Sequence, residues 1–267
     1  MTIVFSVQHS RSGSGATTVA LALAYNLSLR GRTLYIEADF LNPMIENLTM
    51  SRDVIRRWSN EWITGEAKLS EACKDTGAMF NLPSNRLYLM FANTLEDARR
   101  RMEILDVQGD KNIFETLEKE KWVVNGQQLD YVVIDTPPWM HYTLSCISYI
   151  SNYVFYVIKP NMHDLIVLKD RIENIYSNFI CLVNPIINMF ELDNEGMKKF
   201  EKEFIERIGV KPLKIPYISE LASGIDLLKI SDRRSEIHKY LVKLIEEIVK
   251  KPEITESNLS KRAPTIF

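Results

Sequence analysis

Residues 10–18 read Ser10-Arg11-Ser12-Gly13-Ser14-Gly15-Ala16-Thr17-Thr18, a Ser/Gly-rich turn between a short apolar run and an alanine-rich segment. Such a turn can cradle a phosphate. Its glycines let backbone N–H groups close on the oxygens, a lysine adds charge, and the hydroxyl that follows holds Mg²⁺, giving G-x-x-x-x-G-K-[ST]. This chain keeps Gly15 and Thr17 but places Ser10 at the first glycine and Ala16 at the lysine. Alone, the fragment also suits an ordinary turn that caps a helix. Two carboxylates stand where other apolar runs stop: Asp39 closes residues 33–39, and Asp135 closes residues 130–135 before Thr136-Pro137-Pro138.

The elements around these residues follow from apolar periodicity. Residues 2–7 form a strand pattern, a helix follows from Thr17 to a stop near Gly31, and residues 33–39 form a second strand, together a βαβ unit. Residues 48–78 read as helical with polar breaks, 86–92 as a buried strand, 96–120 as a charged helix and 130–135 as a core strand. Residues 153–158 and 178–183 repeat the strand pattern after helical segments, and 214–216 form a last short strand. Residues 234–250 carry one apolar stripe, expected to pack on the sheet rather than lie on a membrane. The fold class is α/β, a doubly wound, mostly parallel central sheet with helices on both faces. Ligands of such sheets sit at the C-terminal strand ends, so residues 10–18, Asp39, Asp135, Asn184 and Pro216 are expected to converge on one edge.

At roughly 150 residues per domain, 267 residues permit one large α/β domain, expected over residues 1–250, with a disordered tail at 251–267. Thirty-three basic against 35 acidic residues leave a net charge of -2, so contact with DNA or an anionic membrane needs a local patch. Arg52, Arg56 and Arg57, and Arg99 to Arg101, are the candidate patches, although a solvated helix face explains them better. Cys73, Cys146 and Cys181 form no C-x-x-C pair, and His9, His141, His163 and His238 show no ligand spacing, which argues against a zinc or iron–sulfur site. No apolar run reaches about 18 residues and none resembles a signal peptide, so a cytoplasmic protein is expected.

Taken together, residues 11–18 resemble the deviant Walker A motif of the ParA/MinD family of P-loop ATPases, K-G-G-x-G-K-[ST]-[ST]. Arg11 stands at its signature lysine, Ser12 and Gly13 at its glycine pair, Gly15 at its third glycine and Thr17 at its Mg²⁺ ligand. Residues 35–39 with Pro43 resemble the family's D-x-D segment, Glu37 replacing the first Asp and Asp39 keeping the second. Residues 130–138 resemble its Walker B strand, Val183-Asn184 its adenine-reading Asn, and Ile215-Pro216 its segment beside the base. The lysine-free G-x-G-A-T-T form is similar to the CpaE/TadZ branch, which positions pilus-assembly machinery.

The resemblance implies ATP or ADP with Mg²⁺ as ligands and a nucleotide-sandwich homodimer that positions or recruits a partner. Backbone groups of Ser12, Gly13, Ser14, Gly15, Ala16, Thr17 and Thr18 would wrap the phosphates, with Thr17 and Asp135 on the metal. Asp39 would orient the attacking water, or serve as a strand-end cap. Arg11 would reach across the dimer to the partner's phosphates, or remain a solvated loop residue. Asn184 would read the adenine edge, or merely occupy the turn before Pro185. Trp139, Met140, His141 and Tyr142 would form a switch surface for a partner or fill the local core. Loss of the loop lysine, on the order of 2 to 4 kcal/mol, predicts hydrolysis slower by roughly two to three orders of magnitude. The alternatives are a nucleotide-independent pseudo-ATPase scaffold and a DNA-partitioning ATPase.

Overall fold

The computed structural model describes residues 1–45, 55–105, 107–138, 142–191, 193–219, 231–232 and 234–249. Strand β1 (Ile3–His9) enters the middle of the sheet and helix α1 (Ala16–Ser28) leaves it through the Ser/Gly loop. The chain then forms β2 (Thr33–Glu37), the short helices α2 (Ser59–Ile63) and α3 (Leu69–Ala72), the two-residue strand β3 (Lys74–Asp75) and β4 (Leu87–Met90). Helices α4 (Glu96–Glu103) and α5 (Val107–Lys119) precede the hairpin strands β5 (Val123–Val124) and β6 (Gln127–Gln128). Next come β7 (Tyr131–Asp135), α6 (Tyr142–Ile150), β8 (Tyr153–Ile158) and α7 (Met162–Asn174). The series closes with β9 (Leu182–Phe190), α8 (Glu195–Ile208), β10 (Leu213–Pro216) and α9 (Glu236–Val249).

The sheet has eight strands in the order β10-β9-β8-β1-β7-β2-β4-β3, parallel except for β3 at the edge. The connection from β1 passes β7 to reach β2 on one side, whereas that from β7 passes β1 to reach β8 on the other, which makes the C-terminal ends of β1 and β7 a topological switch point. Registers Val7↔Asp135 and His9↔Val157 bring the ends of β1, β7 and β8 to one level.

Parallel strands covered on both faces need apolar side chains pointing both ways. Phe5, Val133, Phe155 and Ile186 therefore pack with α1 and Ile237 of α9, while their neighbours Val4 and Val132 pack with α5 and α6. Val154 and Ile187 pack on that second side with α7 and α8. Helix α1 is apolar nearly all round because it is enclosed between the sheet and α9, whose Ile237 joins the same cluster, with Tyr25 and His238 rings 6.2 Å apart. Among the described residues no helix is long and apolar enough to cross a membrane.

Three expectations need correction. The charged segment at 96–120 is two helices, the first with no buried residue and the second burying Ile113 and Leu117. The stretch expected to be helical at 48–78 contains only α2, α3, β3 and a 3₁₀ turn (Gly77–Phe80) among its described residues, with 46–54 outside them. The strand expected at 178–183 runs instead over Leu182–Phe190. Pro185 reads as a strand breaker, but β10 pairs with β9 only from Ile186 onward, so its missing N–H breaks no bond to β10. The tail at 251–267 lies outside the described residues.

Candidate functional site

The loop between β1 and α1 occupies the switch point. Gly13 (φ +76°) and Gly15 (φ +83°) take left-handed backbone conformations that residues with a Cβ rarely adopt. At Gly15 a Cβ would also lie 2.3 Å from Asn188 Nδ2. Helix α1 begins without a side-chain cap and without an acidic residue in its first turn, so its first N–H groups remain available to an anion. Ala16, where a lysine is expected, is buried and belongs to the apolar cluster around α1. The Ser14 hydroxyl is buried without a hydrogen-bond partner.

Side chains distant in sequence clamp this loop. Asp164, fully buried on α7, accepts from Ser10 Oγ at 2.8 Å and pairs with Arg11 Nε at 3.1 Å. Its other oxygen accepts the Lys159 backbone N–H at 3.1 Å and Asn161 Nδ2 at 2.9 Å. His9 places its ring nitrogens 2.8 Å from the Arg11 carbonyl and 3.0 Å from the Thr136 carbonyl, and burial lowers its pKa. Arg171 donates to the His9 carbonyl at 3.1 Å and the Pro138 carbonyl at 2.8 Å, tying the loop to the turn after β7. Asn188 donates to the Ser14 carbonyl at 2.8 Å.

Facing the loop is a buried acid cluster. Asp135 is fully buried, and Tyr35 donates to its Oδ2 at 3.0 Å while Oδ1 has no donor of normal geometry. Burial, then the Asp39 charge, push its pKa well above the ordinary range, and the nearby Thr17 hydroxyl and Tyr35 pull the other way. Asp39 is also raised by burial and accepts the Asn42 N–H at 3.1 Å, the bond of a strand-end cap. Glu37 is turned toward backbone donors. Its oxygens accept backbone N–H groups of Met44 (2.6 Å), Ile45 (2.9 Å) and Ala92 (3.0 Å), and burial still raises it to about 7.

A buried carboxylate oxygen without a donor suits a cation. No three His, Cys, Asp or Glu side chains among the described residues could hold one by themselves. Asp135 and Thr17 fit Mg²⁺ completed by phosphate oxygens and water, the arrangement usual for this ion.

Pro216 arrives where expected, lining with Gly15, Thr18, Asn188 and Tyr217 a cavity of about 60 Å³ beside the loop. Asn184 does not reach it. Asn184 lies inside β9, opposite Phe155, and donates to its own strand at Leu182 O, 3.1 Å. Asn188 stands about 13 Å further along the strand. A slip in the β9–β10 register and the left-handed Met189 (φ 58°) form a bulge beside it. Asn188, Asp164, Arg171 and Lys159 are site residues that sequence reading missed; Asn188 and Lys159 lie near the ends of apolar runs and Asp164 in the first turn of α7, while Arg171, in the last turn of that helix, carries no such signal.

Each arginine patch has one member paired on its own helix or turn, Arg57 with Glu61 at 2.7 Å and Arg100 with Glu96 at 2.5 Å. Arg52, Trp139, Met140 and His141 lie outside the described residues, and Tyr142 opens α6 half-exposed.

A family model described as an AAA domain matches residues 2–189. No curated protein matches the chain. Among solved structures, the plasmid partition protein of Borrelia burgdorferi B31 bound to AMPPNP superposes with a TM-score of 0.70 at 18% identity, over 94% of this chain and 100% of that one. The septum site-determining protein MinD of Pyrococcus horikoshii OT3, complexed with Mg-ADP, gives 0.71 at 17% identity over 94% and 97%. The ParA family ATPase of Chlorobium tepidum TLS gives 0.67 at 15% identity over 92% and 98%. With a glycine loop at the switch point, a buried Asp closing β7 and a family match over most of its length, the chain belongs to the AAA-domain family and shares its fold with MinD and ParA proteins.

Proposed function

We propose that this protein is an ATP-binding switch that forms a nucleotide-sandwich dimer and recruits or positions a partner, with weak or absent hydrolysis. One observation carries the reading: an uncapped helix N-terminus behind two left-handed glycines faces the orphaned oxygen of Asp135 beside Thr17, while position 16 is a buried alanine. AMPPNP in the Borrelia burgdorferi protein and Mg-ADP in the Pyrococcus horikoshii protein support nucleotide and Mg²⁺ as the ligands.

In this reading the backbone N–H groups of residues 12–18 bind the phosphates and Thr17 and Asp135 hold the metal. Mg²⁺ supplies charge neutralisation between phosphate oxygens. Pro216 flanks the base, with Asn188 rather than Asn184 beside it. Asp39 orients the attacking water. Arg11, held by Asp164 in its own chain, must leave that ion pair before it can reach a partner's phosphates. Such a restraint favours a bound state with little turnover, as does Ala16.

Calorimetric titration of ATP and ADP with Mg²⁺, followed by phosphate release over a night and light scattering of the same sample, tests the reading. Micromolar binding, negligible turnover and ATP-dependent dimerisation lost in Arg11→Ala are expected. A chain that binds neither nucleotide would be a nucleotide-independent scaffold, and the proposal would fall.

A further inference from the structure

The loop's missing positive charge has a candidate replacement from another strand. Lys159 follows β8 at its C-terminal end, and its Nζ lies 3.6 Å from the point a Gly13 Cβ would occupy. Register places it there: Val157 pairs with His9, so residue 159 stands level with Arg11 at the loop. Its backbone is fixed by the N–H bond to Asp164. That carboxylate is already paired with Arg11 and accepts from Ser10 and Asn161 as well. Among the described residues the Lys159 ammonium has no ion-pair or hydrogen-bond partner. A half-buried cation without a partner beside a phosphate loop is an anion-binding group.

We infer that Lys159 is the phosphate-binding lysine of this chain, its ammonium supplying from β8 the charge that Ala16 does not supply from the loop. The inference rests on the nucleotide reading above and names a residue of that same site. A lysine entering from β8 approaches the Gly13 side of the loop, whereas one at position 16 would rise from the first turn of α1. The two need not stabilise the same phosphoryl oxygens, so tight binding does not require restored hydrolysis.

Titrations of ATP, ADP and adenosine with Mg²⁺ into the wild type, Lys159→Met and Lys159→Arg test it, each variant being checked by thermal melting. Lys159→Met keeps the apolar stem and removes the charge. It should bind ATP roughly ten- to hundredfold more weakly, bind adenosine unchanged, and melt within a few degrees of wild type. Lys159→Arg should keep most of the ATP affinity. In parallel, ATP should protect Lys159 from acylation mapped by mass spectrometry. Wild-type protein that binds ATP while Lys159→Met binds it equally overturns this inference alone. Equal losses for ATP and adenosine also overturn it, because damage to the fold rather than lost charge would then be the cause. A wild type that binds no nucleotide overturns the functional reading and this inference with it.

Discussion

Asp135 illustrates the conflict between function and stability at a single side chain. Its carboxylate is fully buried, has one well-formed donor in Tyr35 and leaves Oδ1 without a donor of normal geometry, an arrangement that disfavours the charged form in the absence of a cation. Asp135→Asn keeps the shape and removes the charge. The variant should therefore be as stable as wild type or more stable by about 1 kcal/mol, a rise of a few degrees in melting temperature, because a strained functional group has been relieved. Mg²⁺ should no longer strengthen ATP binding. Calorimetry with and without Mg²⁺ beside a thermal melt checks both halves, and a marked loss of stability would show that the carboxylate is structural. Glu37, two residues before Asp39, behaves differently because three backbone N–H groups end on it. Glu37→Ala orphans those donors, and a loss of about 3 kcal/mol is expected in chemical denaturation.

At the scale of elements, the loop and β9 hold each other in place. Gly15 leaves just enough room for Asn188, whose amide bonds the Ser14 carbonyl, and the bulge at Met189 aims it there. Gly15→Ala should cost more than 2 kcal/mol, combining a left-handed backbone with a methyl group driven into the Asn188 amide. Asn188→Ala alone loses one hydrogen bond, about 1 kcal/mol. The double variant escapes the clash and keeps only the backbone strain, so its loss should fall short of the sum by about 1 kcal/mol or more in denaturant melts. Strict additivity would mean that the two side chains do not meet. This coupling also marks the limit of sequence reading. Loop glycines, Thr17 and Asp135 are legible because their chemistry is local to one strand end. Asn188 is not, because Pro185 hides the continuation of β9, and the bulge that turns the side chain inward exists only once β10 pairs beside it. Asp164 and Arg171 escape for the same reason: each acts on residues about 150 positions away, through a neighbourhood that strand order creates.

Across the whole molecule, alternating strands and helices made the parallel, two-faced sheet legible, and with it the gathering of Asp39 and Asp135 at one edge, whereas the strand order that sets Glu37 of β2 level with Asp135 of β7 was not. That gathering gives stability a pH dependence. Glu37 is raised from 4.5 to about 7, so the folded chain binds a proton there that the unfolded chain releases. Its contribution is fully present below pH 4.5 and is lost as pH rises through about 7. Asp39 and Asp135, raised in the same direction, add to the slope. His9 opposes it. Burial lowers His9 from 6.5, so the unfolded chain holds the extra proton, and this contribution is lost as pH falls below that value. The opposing terms make the wild-type curve alone hard to apportion, but a comparison isolates Glu37. Glu37→Gln retains a side-chain acceptor and cannot titrate. The difference in unfolding free energy between wild type and variant should move against the wild type by on the order of 2 kcal/mol from pH 5 to pH 8. Denaturant titrations at both pH values measure it. Parallel curves for the two proteins would mean that Glu37 meets solvent in the folded chain, and the close packing of the segments after β2 and β4 around it would have to be abandoned.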